Sequence, residues 1–195
     1  MEIMKSSIRA ILDNIESAEE FLDRKSLDEF ENIIINSENI FVTGAGRSGL
    51  AAKAFAMRLM HLGLSAYVVG ETISPAIHKG DCIVAISGSG ETNTIVSAAK
   101  IAKDRGSKVL ALTSYPESTL GQLSDCHILV KGRTKKEVDD ENYMKRQIHG
   151  NYTSLTPLGT AFELTTLVFL DAIVSELKTQ LLQNDEMQAK PAALE

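Results

Sequence analysis

Apolar residues recur three and four positions apart at the start of the chain, at Ile8, Ile11, Leu12, Ile15 and Leu22, and again at Leu27, Phe30, Ile33 and Ile34. That spacing predicts two amphipathic helices. Their apolar stripes need a covering surface, which in an assembly is a neighbouring subunit. The pattern then changes. Ile40-Phe41-Val42 is a continuous apolar run of strand formers and predicts a first strand. Similar runs at 66–69, 82–86, 109–112 and 128–130 predict four more. Helical patterns separate them: a long one through Leu62 stopped at Gly63, one over 95–105 closed by Gly106, and a short one near Leu120. A final, strongly apolar helix is predicted over 157–182.

Strands that are apolar throughout, alternating with helices, indicate a parallel sheet covered on both faces. The predicted fold is α/β: a three-layer α/β/α sandwich with a five-stranded parallel sheet, preceded by two helices. Residues 1–183 read as one domain that includes helices within 1–37, and 184–195 as a disordered tail. The charged stretch 131–152 breaks the pattern and lacks apolar periodicity. Its length suggests a lid or a segment ordered by a partner subunit.

Composition narrows the function classes. The chain has 195 residues and a net charge of −6, which argues against a nucleic-acid surface. No apolar run approaches the roughly 20 residues of a membrane span. The N-terminus lacks the apolar core of a signal peptide. Cys82 and Cys126 lie in apolar strands without metal or redox spacing, which suits buried, reduced thiols in a cytoplasmic protein.

Two loops carry the candidate chemistry. Ser87-Gly88-Ser89-Gly90-Glu91-Thr92 joins a strand to a helix. There the first helical N–H groups lack partners and carry the positive end of the dipole. Gly88 and Gly90 give backbone access, and Ser87, Ser89 and Thr92 add hydroxyls, so the loop is a cradle for a phosphate dianion. With no lysine it is not the loop of nucleotide triphosphatases. The second loop, Gly44-Ala45-Gly46-Arg47-Ser48-Gly49, satisfies the dinucleotide fingerprint, and Glu71 follows the next strand where a ribose-binding carboxylate belongs. A nicotinamide or flavin reading nevertheless comes second. Arg47 and Ser48 suit a terminal phosphate, and a second phosphate loop would be redundant for a pyrophosphate. Arg47 either supports that phosphate or pairs with an acid such as Glu71.

Two acid–base candidates remain. Glu163 lies early in an apolar helix, where its carboxylate must face water or a polar pocket. Thr160 three residues earlier offers a capping-box explanation, although Thr156 before Pro157 is the better start. His61 closes a predicted helix, where favourable dipole contact explains many histidines. His78, His127 and His149 share no metal-ligand spacing, and no metal site is expected.

The loop at 87–92 resembles the phosphate loop of the sugar isomerase (SIS) domain superfamily, a flavodoxin-like fold. Gly46 to Gly49, residues 57–63, Val69-Gly70-Glu71-Thr72 with Pro75, and Pro157-Leu158-Gly159-Thr160 with Phe162-Glu163 resemble the 6-phospho-3-hexuloisomerase family within it. The resemblance spans about residues 39–178. It implies interconversion of D-arabino-3-hexulose 6-phosphate and D-fructose 6-phosphate through an enediolate, as in the ribulose monophosphate pathway of formaldehyde assimilation. Glu163 then matches the family's base and His61 a proton-moving histidine that acts in its own or a neighbouring subunit. Ser48, Ser87, Ser89 and Thr92 would hold the phosphate with Gly88, while Gly46, Arg47 and Glu71 line the pocket. No metal or organic cofactor is implied, and the family forms homotetramers or dimers. Alternatives are another SIS isomerase, such as one for arabinose 5-phosphate, or a non-catalytic phosphosugar sensor.

Overall fold

The structure is a computed structural model that describes residues 1–132 and 160–189. Helix α1 (Glu2–Glu19) and α2 (Arg24–Ile35) precede the sheet. The Asp23 carboxylate starts α2 by accepting from the Ser26 N–H and hydroxyl, both at 2.8 Å. Strand β1 (Ile40–Gly44), α3 (Arg47–His61), β2 (Ala66–Val68), β3 (Cys82–Ile86) and α4 (Asn93–Asp104) follow. Then come β4 (Lys108–Thr113), α5 (Thr119–Leu123), β5 (Cys126–Leu129) and α6 (Thr160–Ala189).

All five strands pair in parallel, in the order β2-β1-β3-β4-β5. The sheet buries both faces, as the continuous apolar runs require. On one side Val42, Val84, Ile86, Leu110 and Leu112 pack with Phe30, Phe55, Leu59 and Leu170. On the other, Phe41, Ile83, Ala85, Val109 and Ala111 meet Ile95, Ala99 and Leu120. The predicted three layers are therefore present, with α2, α3 and α6 on one face and α4 and α5 on the other.

This strand order reverses the chain's direction of travel at β1 and β3. The connection from β1 leads outward to β2, and that from β3 leads the opposite way to β4. A crevice opens at the carboxyl ends of such a pair, because the two crossovers depart from each other. Both glycine-rich loops flank it. Gly44 is in register with Ile86, so the loops leave adjacent strands at the same level.

Two expectations change. The stripe of α2 is covered within the chain, since Phe30 and Ile34 are fully buried. Of these two helices, α1 keeps an outward apolar stripe, at Met4, Ile8 and Leu12. Helix α6 is continuous to Ala189, so residues 184–189 of the expected tail are helical, where Glu186, Met187, Gln188 and Ala189 are good helix formers. The predicted lid lies outside the described residues beyond Gly132, as do His149, Thr156 and Pro157 to Gly159. Lys131 itself places its ammonium 3.3 Å from the centre of the Phe21 ring.

Candidate active site

The loop after β3 is tied down from several sides. The Ser87 N–H donates to Leu112 O at 3.1 Å, and the Gly90 N–H donates to Ser87 O at 3.0 Å. Gly88 O accepts from the Ser114 N–H, and Gly90 O from the Leu120 N–H. The Glu91 carboxylate accepts from the Thr119 N–H and hydroxyl at 3.0 and 2.8 Å. Glycine at 90 is obligatory: φ is +64°, and a Cβ there would stand 1.8 Å from Ser118 Oγ. The Ser87 and Thr92 hydroxyls meet at 3.0 Å. Thr92 is the N-cap of α4, yet its side chain does not cap the helix. The first turn of α4 therefore has no side-chain cap for its leading N–H groups, beside the Ser87–Thr92 pair.

The loop after β1 is packed by close approach. A Cβ on Gly44 would lie 2.6 Å from Ser48 O, and one on Gly49 would lie 2.7 Å from Gly44 O. Strand end and helix start thus touch backbone to backbone. Ser48 is buried in that first turn, and Gly46, with no side chain to cap the helix, leaves its N-terminal donors open.

Helix α6 packs along α3 and carries Glu163 to the same place. Arg47 Nε stands 2.6 Å from Glu163 Oε2. The contact is one of charge, because the N–H does not point along it and Oε2 accepts no hydrogen bond. The Glu163 side chain is only 17% exposed. Burial pushes its carboxyl above the usual range, and Arg47 offsets part of that rise. The pairing of Arg47 corrects the expected alternative with Glu71. Glu71 instead binds Lys53 Nζ at 2.5 Å, on the exposed flank beyond β2.

Thr160 and Thr166 were not legible as site neighbours. Both hydroxyls are buried without a hydrogen-bond partner among the described residues. They lie one turn either side of Glu163 in sequence, and i,i+3 neighbours on a helix sit roughly 5–6 Å apart. A capping box is excluded, since it would engage the Thr160 hydroxyl. The available signal was a row of polar residues at i, i+3 and i+6 on an apolar helix.

His61 is exposed at the far end of α3, about 21 Å along the axis from Arg47 at 1.5 Å per residue. One copy of the chain therefore does not bring it to Glu163. Leu50, Met57 and Met60 are exposed along the same helix. Among the described residues no three His, Cys, Asp or Glu side chains group as metal ligands. No described helix is long and apolar enough to cross a membrane.

Two glycine- and hydroxyl-rich loops at adjacent strand ends, a largely buried carboxylate and this strand order define a doubly wound α/β domain with a candidate anion-binding crevice. The model of the SIS domain matches residues 33–144, which include both loops and stop before α6. The chain belongs to the SIS-domain family. It is 38% identical over 170 residues to the 3-hexulose-6-phosphate isomerase of Bacillus subtilis, covering 87% of this chain and 86% of that protein. The protein of that name from Methylomonas aminofaciens is 36% identical, covering 86% and 87%. A solved structure from Methanococcus jannaschii, for which a 3-hexulose-6-phosphate isomerase function is inferred, superposes with a TM-score of 0.74 at 30% identity, covering 97% of this chain and 99% of that one. The fold, the family and the isomerase class expected from the sequence agree with these relatives.

Proposed function

We propose that the chain is a 3-hexulose-6-phosphate isomerase, interconverting D-arabino-3-hexulose 6-phosphate and D-fructose 6-phosphate. The observation that carries the reading is the place of Glu163, a largely buried carboxylate beside Arg47 of the loop after β1, next to the crevice between the two glycine-rich loops. The relatives named for this activity support the substrate class.

The phosphate sits against Ser87, Gly88, Ser89 and Thr92, with Ser48 on the opposite wall. Glu163 then takes the C2 proton of the 3-ketose. The C–H electron pair becomes the C2–C3 double bond of an enediolate whose negative charge rests on the former C3 carbonyl oxygen. The O2 proton passes to O3, the C2 carbonyl forms, and Glu163 returns its proton to C3. A base of raised pKa suits this work, because it binds a carbon-derived proton more strongly than an ordinary carboxylate does. Since His61 is remote from its own Glu163, its role in moving protons between O2 and O3 requires a neighbouring copy, which fits a homotetramer or dimer. Formaldehyde assimilation through the ribulose monophosphate pathway in the cytoplasm is the setting this activity suggests.

The test incubates the protein with fructose 6-phosphate in deuterated water. Deuterium at C3, with a 3-ketose carrying deuterium at C2, is the expected result. Binding without exchange would support a sensor instead, and faster conversion of arabinose 5-phosphate would transfer the assignment to a related isomerase.

A further inference from the structure

We propose that Arg47 couples the sugar's phosphate to the base: one guanidinium serves both anions, and the share taken by the phosphate frees Glu163 to accept the carbon-bound proton. The proposal rests on the isomerase reading above. Arg47 is the first residue of α3, between Gly46 and Ser48, so its backbone belongs to one wall of the crevice. Its Nε nevertheless reaches across to Glu163 on α6 at 2.6 Å. That contact is incomplete, because Glu163 Oε2 accepts no aligned hydrogen bond. The two terminal nitrogens of Arg47 hydrogen-bond no described residue, and its side chain is half exposed. The opposite wall, with Ser87 and Thr92, leaves the neighbouring strand one residue beyond Ile86. Adjacent strands lie about 4.8 Å apart, within the span of an arginine side chain.

A guanidinium offers five donors in a fork that suits phosphate oxygens, and a dianion competes well against a single carboxylate for it. Arg47 is the charged group that faces Glu163 among the described residues. Helix α1, packed against α6 nearby, contributes the neutral Asn14, whose Oδ1 accepts from the Thr165 hydroxyl of α6. With its cation engaged, the carboxylate is a weaker base. With the cation shared, the buried carboxylate binds a proton more strongly. Interaction with the non-reacting phosphate is thereby expressed in the chemical step.

The test uses D-fructose, which lacks the phosphate, in deuterated water with and without phosphite dianion, and reads deuterium gain at C3. Phosphite is expected to accelerate exchange in the wild type by about tenfold or more, the size of a modest coupling between sites. In Arg47→Gln, exchange without phosphite should exceed the wild-type rate, and the acid limb of its pH profile should move to higher pH. Phosphite should add less than about twofold in that variant. Arg47→Lys, which keeps the charge, should restore part of the acceleration. No phosphite effect in the wild type, or an undiminished one in Arg47→Gln, overturns the coupling. Wild-type protein with fructose 6-phosphate separates the two failures. Absence of C3 deuterium there removes the isomerase reading, whereas normal exchange leaves only the role of Arg47 in error.

Discussion

Two carboxylates engage α6 at opposite ends, and only one of them faces the crevice. Glu31 on α2 is fully buried and accepts a hydrogen bond from Gln180 Nε2. Glu163 lies about 25 Å further up α6, at 1.5 Å per residue, beside Arg47. Each has an oxygen without a hydrogen-bond partner, and burial raises the pKa of each. Glu31 sits in the seam that also buries Phe30, Ile34 and Leu177, at the amino ends of the strands. Glu163 keeps partial access at their carboxyl ends, next to a cation and the two glycine-rich loops. Burial and raised basicity therefore do not identify a base. Position at the point where the strand order reverses, with a route for substrate, does.

Paired variants should break the resemblance between these two acids. Glu163→Gln is expected to lower turnover by roughly 10²–10⁴-fold, the usual contribution of a positioned base. Glu31→Gln should leave turnover close to wild type, which steady-state kinetics will show. The anchoring loop gives the next largest effect. Thr92→Val removes a hydroxyl offered to the phosphate, and hydrogen bonds to charged groups contribute about 1.5–3 kcal/mol, so KM should rise roughly ten- to a hundredfold with a smaller change in kcat. A loss confined to kcat would move the phosphate elsewhere.

Titration sharpens the contrast further. Glu163 must be ionised to act, and its pKa is raised, so kcat/KM should fall with acidity at a pH above the ordinary glutamate value of about 4.3. An acid limb at or below that value would mean a well-solvated carboxylate. For Glu31 the consequence is stability. Its folded form holds the proton more tightly than the unfolded chain does, so the folded state is favoured while the carboxyl is protonated. That advantage is lost as pH rises from the ordinary carboxylate range through the raised value. Glu31→Gln should therefore raise Tm by a few degrees at neutral pH and by less near pH 4. Thermal melts at both pH values will decide it.

Much of this was written locally in the chain. The strands were legible because Ile, Val, Leu and Ala run unbroken where both sheet faces are covered, as in Cys82–Ile86. The loops were legible because Gly44, Gly49 and Gly90 stand where no Cβ fits. The contact between Arg47 and Glu163 was not, because it links residues 116 positions apart and depends on how α6 docks on α3. Proximity to a strand end made Glu71 look like the partner. Lys53, two turns further along α3, takes that carboxylate instead. His61 reads as a candidate in sequence, yet only an assembly can bring it to a base.

The most direct measurement follows the C3 proton of fructose 6-phosphate at saturation in deuterated water, with wild type and Glu163→Gln side by side and sugar-phosphate binding measured in both. Exchange in the wild type, lost by roughly 10²-fold or more in the variant while binding stays within a few-fold, is the predicted result. Undiminished exchange in Glu163→Gln would contradict the assignment of this carboxylate as the base.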